Sequence, residues 1–136
     1  MGLIVLDAGV VIAILDARDL HHVAAREAIS DALAAGDRFV LPASAYAEVM
    51  VAPSGRGAEA VVTADAFVDA LPAAVEPATR EVAVVAAGLR SRHGTRLRLP
   101  DALVVATATV KGAERIMTTD SRWPSLPVHV EVIGRR

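Results

Sequence analysis

Four carboxylates, Asp7, Glu48, Asp101 and Asp120, are the residues of this sequence best suited to chemistry. Asp7 stands inside the apolar run LIVLDAGVVIAIL, where an unpaired carboxylate would be costly to bury. Clustered carboxylates repel one another, which pushes at least one of them toward protonation, and a divalent cation removes that repulsion. Mg²⁺ and Mn²⁺ prefer oxygen ligands, and the water that they activate is a ready nucleophile for phosphodiester hydrolysis. A fold that gathers the four acids therefore predicts a metal-dependent hydrolase.

Taken one at a time, the acids also have ordinary structural explanations. Asp7 and Asp101 stand where apolar helices begin, so each could act as a cap or favour the helix dipole. Asp120 could cap the turn at SRW. For Glu48 the default explanation is a solvent-facing side chain, yet its helix has little other polar surface and no basic residue stands four positions away. The joint interpretation is stronger than any of the single ones.

The elements that must position these acids alternate between strands and helices. The pattern predicts strands at 3–6, 38–41, 115–118 and 129–133, and helices at 9–16, 21–35, 44–51, 58–71, 79–92 and 101–110. Ser44 is available as a helix cap, and PSGRG at 53–57 predicts a turn. Such alternation predicts an α/β fold with a central, mainly parallel sheet. Function gathers beyond the carboxyl ends of such strands, where Asp7 and Asp120 would lie.

Composition limits the remaining possibilities. The 136 residues suit a single domain over 1–136, and 54% of them are hydrophobic. Without cysteine, neither disulfides nor thiolate metal sites can form. No P-loop and no GxSxG motif is present. The opening apolar run is too short for a membrane span and lacks the basic start of a signal peptide, so we expect a soluble, cytoplasmic protein without a membrane partner.

Four segments in order, LIVLDAGVVIAILDARDLHH, ASAYAEVMV, LRLPDALVVATA and IMTTDSRW, resemble the PIN-domain ribonucleases, and more narrowly the VapC-type toxins of type II toxin–antitoxin pairs. The resemblance runs from Leu3 to about Ile133. It implies an α/β/α sandwich whose pocket of Asp7, Glu48, Asp101 and Asp120 binds Mg²⁺ or Mn²⁺ and cleaves RNA, often tRNA or rRNA. It also implies a cognate VapB-type antitoxin, whose C-terminal segment covers the pocket, and a homodimer.

The sequence departs from this family at Gly9, where Ser or Thr often stands two residues after the first Asp. A hydroxyl that could hold a metal-bound water is therefore missing. Thr118, two residues before Asp120, matches a hydroxyl that the family often carries, and Ser44 lies one turn before Glu48. Either could compensate.

A basic segment, LRSRHGTRLRLPD, leads into Asp101 and carries Arg90, Arg92, Arg96 and Arg98. Such a segment beside an acidic metal site suits RNA, with contacts made mainly to the backbone because aromatic residues are scarce. The alternative is a solvated helix end, where arginine favours the dipole.

The rival function is a PIN-like module that binds RNA or a partner protein but is catalytically weak or inactive. Gly9 keeps this rival open, and the presence of all four acids argues against it. A receiver domain also carries an acid after its first strand, but it needs a lysine after a late strand. The one lysine here, Lys111, precedes such a strand.

Overall fold

The computed structural model describes residues 2–134. Its strands are β1 (Leu3–Leu6), β2 (Arg38–Pro42), β3 (Ala73–Glu76), β4 (Arg115–Thr118) and β5 (His129–Val132). Its helices are α1 (Ala8–Leu15), α2 (His22–Ala34), α3 (Ala43–Arg56), α4 (Ala58–Ala70), α5 (Arg80–His93) and α6 (Leu99–Lys111), with a 3₁₀ turn at Gly94–Arg96. Between residues 2 and 134, none of the helices has the length and apolar character needed to span a membrane.

The strands form one sheet in the order β3-β2-β1-β4-β5, and every neighbouring pair is parallel. In the centre, Val5 of β1 is in register with Val40 of β2 on one side and with Ile116 of β4 on the other. Helices cover both faces of the sheet, which buries the central strands and explains their continuous apolar sequences. This architecture confirms the predicted α/β/α sandwich.

The core is built from small aliphatic side chains at the centre of the sheet and along one helix. Ile4, Val5 and Leu6 of β1 are almost completely buried, and so is the stretch from Val104 to Ala108 of α6. The closely packed core beneath the carboxyl edge of the sheet therefore includes β1, β4 and α6. These are the elements that hold Asp7, Asp120 and Asp101 in place.

Two local predictions are wrong, and one strand was missed. Strand β3 was not predicted, because Ala73–Glu76 lies at the sheet edge and lacks the apolar pattern of a buried strand. The segment PSGRG is not a turn, since α3 continues to Arg56 and Pro53 joins Ala45 and Val49 in its buried stripe. The Ser44 cap is also wrong, because α3 begins one residue earlier, after Pro42, and makes no side-chain cap there.

Candidate active site

Two of the acids meet where the central strands end. Asp7 directly follows β1, and Asp120 comes two residues after β4, the neighbour of β1 in the sheet. Thr118, fully buried at the end of β4, links them. Its hydroxyl donates a hydrogen bond of 2.7 Å to Asp7 Oδ2 and accepts one of 3.1 Å from the backbone N–H of Asp120. The predicted accessory hydroxyl of Thr118 therefore lies between the two acids.

Asp7 is both a helix cap and a buried carboxylate. It is 8% exposed, and its Oδ1 accepts a 2.9 Å hydrogen bond from the backbone N–H of Ala8, the first residue of α1. Burial raises the pKa of Asp7, and the negative charges of Glu48 and Asp120 add to that rise. The hydrogen bonds from Thr118 and Ala8 oppose it. Asp7 therefore caps α1, as considered from the sequence, and is at the same time a buried carboxylate that is repelled by two other acids.

Asp101 and Glu48 face Asp7 from two helices. Asp101 lies in the first turn of α6, just after Pro100, and Glu48 lies in the middle of α3. Burial raises the pKa of both carboxyls, and repulsion from Asp7 raises that of Asp101 further. Repulsion from Asp101 has the same effect on Glu48. Arg98 opposes these shifts in both cases. Carboxyls that raise one another's pKa values form a site that favours a cation.

The four acids line one open cleft of about 360 Å³, here called the acidic cleft. Its remaining lining residues are Gly9, Arg98, Thr119, Ser121 and Arg122. Within residues 2–134, no three acidic or histidine side chains are already close enough to form a metal cage. The backbone thus brings the four predicted acids to one shared cleft.

Asp120 differs from the other three because an arginine holds it. Arg122 Nε lies 3.1 Å from Asp120 Oδ1 and Arg122 Nη2 lies 3.3 Å from Oδ2, while the backbone N–H of Arg122 donates to Oδ1 at 2.8 Å. These hydrogen bonds with Arg122 hold the pKa of Asp120 below its usual range. Arg122 is not among the site residues predicted from the sequence, although a basic residue two positions after an acid can fold back onto it.

The predicted RNA-contacting arginines separate into two pairs. Arg96 and Arg98 line a second cleft of about 300 Å³ that adjoins the first, here called the basic cleft, together with Thr95, Asp101, Asp120, Arg122 and Trp123. Arg90 and Arg92 lie instead in the last turn of α5 and line neither cleft. The indole Nε1 of Trp123 is buried without a hydrogen-bond partner among residues 2–134.

The sequence matches the PIN domain family over residues 4–128. The chain belongs to the PIN domain family. The family predicted from the four acidic segments is therefore confirmed. Among curated proteins, none matches the sequence.

Solved structures similar to this PIN domain include a toxin–antitoxin complex, a toxin and a VapBC protein bound to DNA. A toxin–antitoxin complex from Klebsiella pneumoniae has a TM-score of 0.75 at 19% identity, covering 94% of this chain and 95% of that one. VapC20 of Mycobacterium tuberculosis, described as a toxin that cleaves the sarcin–ricin loop, has a TM-score of 0.66 at 24% identity, covering 83% and 86%. VapBC2 of Rickettsia felis, bound to a promoter DNA fragment, has a TM-score of 0.75 at 12% identity, covering 96% and 98%. At these identities the likeness establishes the fold.

In this PIN domain, the side chain of Thr119 occupies the space beside Gly9. A β-carbon at position 9 would overlap the side-chain hydroxyl of Thr119, which also lines the acidic cleft. The glycine and the threonine therefore fit together, and a hydroxyl still lies next to the start of α1. Ser44, the other hydroxyl considered from the sequence, lies in the first turn of α3 and is not among the residues lining the acidic cleft.

The donor set of this PIN domain suits a hard divalent cation. Every acidic ligand offers carboxylate oxygens, and the cleft leaves room for water, as Mg²⁺ and Mn²⁺ require. Burial raises the pKa values of Asp7, Asp101 and Glu48, and repulsion among the acids adds to the rise, so a bound cation would stabilise all three as anions.

Proposed function

We propose that this chain is a Mg²⁺- or Mn²⁺-dependent endoribonuclease of the VapC toxin type, with Asp7, Glu48, Asp101 and Asp120 as its catalytic and metal-binding residues. The observation that carries the proposal is the acidic cleft, in which four carboxylates from separate elements share one space in a PIN domain. Three of the carboxyls have raised pKa values, as expected for acids that need a cation.

The chain's own residues divide the work. Thr118 and the N-terminus of α1 orient the Asp7 carboxylate, and the buried body of α6 fixes Asp101 at its first turn. Arg96 and Arg98 bind phosphates of the RNA strand in the basic cleft. When bound, a divalent cation supplies an activated water for attack on phosphorus and stabilises the negative charge that forms on the phosphate oxygens.

The proposed partners are an RNA substrate, a VapB-type antitoxin and a second copy of the chain. Support for the antitoxin comes from the similar structures, one described as a toxin–antitoxin complex and another as VapBC2 bound to DNA. Support for RNA comes from VapC20, described as a toxin that cleaves the sarcin–ricin loop. Direct mapping of the cleavage products distinguishes tRNA from rRNA as the substrate.

The decisive experiment replaces one carboxylate at a time. We predict that Asp7→Asn and Asp101→Asn each reduce Mn²⁺-dependent cleavage of single-stranded RNA by at least roughly a hundredfold, because each removes a ligand charge. Asp69→Asn, an exposed position on α4, removes the same charge outside the cleft and should cleave like the wild type. Circular dichroism confirms that the variants are folded.

The same variants test the toxin role in cells. Expression of the wild-type chain alone should arrest bacterial growth, while Asp101→Asn at equal protein levels should not. Growth arrest by both proteins would support the rival function, a PIN-like module that acts by binding RNA or protein.

Wild-type cleavage rates from folded Asp7→Asn protein would falsify the metal-site assignment.

A further inference from the structure

The basic cleft has the chemistry of a phosphate site. Arg96, Arg98 and Arg122 bring guanidinium groups to its lining, and Thr95 adds a hydroxyl. Guanidinium groups bind phosphate through charge-assisted, often paired hydrogen bonds. The cleft shares Asp101 and Asp120 with the acidic cleft, so a phosphate bound in it would lie next to the proposed reaction centre.

Among residues 2–134, Arg122 is the one arginine of this cleft whose side chain forms an ion pair with an acid. Its side chain is 84% exposed, whereas that of Asp120 is 24% exposed. Asp120 accepts three hydrogen bonds from Arg122, so both carboxylate oxygens are engaged before any ligand arrives. An ion pair whose arginine is so exposed is weak, and its guanidinium can leave at small cost.

We propose that the basic cleft is a subsite for a phosphate of the RNA strand beside the cleaved bond, and that Arg122 turns from Asp120 to this phosphate when a divalent cation binds Asp120. Without the cation, Arg122 stays hydrogen-bonded to Asp120. With the cation bound, the guanidinium of Arg122 is released and binds the phosphate together with Arg98. The inference rests on the proposed function, because it takes the acidic cleft to be a cation site.

Two consequences follow from this exchange. Arg122 competes with the cation for Asp120, so it weakens cation binding in the absence of RNA. Once released, it strengthens phosphate binding, so the cation and the phosphate each raise the affinity of the other through the same residue. A fixed phosphate contact would produce neither the competition nor the coupling.

The competition is tested with Mn²⁺ alone, following free Mn²⁺ by electron paramagnetic resonance. Arg122→Ala should bind Mn²⁺ more tightly than the wild type, by roughly two- to fivefold, the equivalent of one exposed ion pair. Arg122→Lys keeps the charge but loses the two-point contact, so it should fall between them. Arg80→Ala is the control, because Arg80 begins α5 at the end opposite to the basic segment. If Arg122→Ala or Arg122→Lys binds Mn²⁺ with the same affinity as the wild type, Arg122 does not compete with the cation for Asp120.

The coupling is tested with 5′-AMP, which carries a phosphate but no internucleotide bond to cut. Calorimetry is run with EDTA and with saturating Mn²⁺. Arg122→Ala should lower AMP affinity on the order of tenfold with Mn²⁺, the loss of a charged hydrogen bond, and much less with EDTA. An equal loss in both conditions overturns the release step, and no loss in either overturns the subsite. Wild-type protein that binds no Mn²⁺ at all would instead refute the proposed function itself.

Discussion

At the scale of single residues, Asp7 combines a structural role with a proposed functional role in one side chain. Its position as the cap of α1 fixes the carboxylate, and Thr118 fixes it from the other side. Yet only hydrogen bonds compensate its burial, and Glu48 and Asp120 add repulsion. The residue is therefore well placed but poorly stabilised as an anion, which is the state that a bound cation would correct.

This conflict predicts an inverted stability effect for Asp7→Asn. Asparagine caps helices as well as aspartate does but carries no charge, so the variant should melt higher than the wild type in EDTA at neutral pH. Mn²⁺ at about ten times its Kd should raise the melting temperature of the wild type by roughly 3–6 °C, and that of Asp7→Asn by less. Asp7→Ala loses the cap and should melt below the wild type in EDTA. Differential scanning calorimetry measures all three.

The pH dependence of stability provides a second test of the charge on Asp7. Because the folded state raises the pKa of Asp7 above its ordinary value of 3.8, folding binds a proton, and wild-type stability is lost as pH rises from that value through the folded pKa. The advantage of Asp7→Asn in EDTA should therefore be small near pH 4 and largest near neutrality. A variant that melts well below the wild type, with a full Mn²⁺ response, would leave Asp7 only its capping role.

At the scale of elements, the sequence predicts what depends on patterns and misses what depends on neighbours. The alternation of apolar runs placed Asp7, Asp101 and Asp120 at the ends of elements, which was enough to predict a shared site. Strand β3 exists because β2 offers it a partner, and nothing in its own residues signals that pairing. The contact of Arg122 with Asp120 depends on side-chain and loop conformations that no periodicity encodes.

The fit between α1 and the segment after β4 is another such contact, and it can be tested by stability. Gly9→Ala should fail to stabilise the chain, because the new methyl group overlaps the Thr119 hydroxyl. Gly88→Ala, in α5 with open space around it, should gain about 0.5–1 kcal/mol from improved helix propensity.

Removal of the obstacle should restore that gain at position 9. In a Thr119→Ala background, Gly9→Ala should stabilise the chain about as much as Gly88→Ala does, as measured by urea unfolding in a double-mutant cycle. If Gly9→Ala and Gly88→Ala were equally stabilising in the wild-type background, Thr119 would not occupy the space beside Gly9.

At the scale of the whole molecule, two oppositely charged parts of the chain meet at the candidate site. Residues 1–76 hold four Arg and eleven acids, a net charge of −7, while residues 77–136 hold nine Arg, one Lys and five acids, a net charge of +5. The first part supplies β1, β2 and β3, and the second supplies β4 and β5. The sheet order places their boundary between β1 and β4, where Asp7 and Asp120 lie. Under the proposed function, a cation and a polyanion would bind side by side there.

This arrangement predicts which arginines contact RNA. Arg96→Ala/Arg98→Ala and Arg90→Ala/Arg92→Ala remove the same charge from the same basic segment, but only the first pair lines the basic cleft. Binding of a single-stranded RNA is measured by fluorescence anisotropy in EDTA, which prevents metal-dependent cleavage, across a range of KCl concentrations. Loss of Arg96 and Arg98 should weaken binding and reduce the steepness of its salt dependence by about 1.4, at about 0.7 per phosphate contact. Loss of Arg90 and Arg92 should change the slope far less. Equal changes in both double variants would mean that net charge attracts RNA to the whole segment and that the basic cleft does not position it.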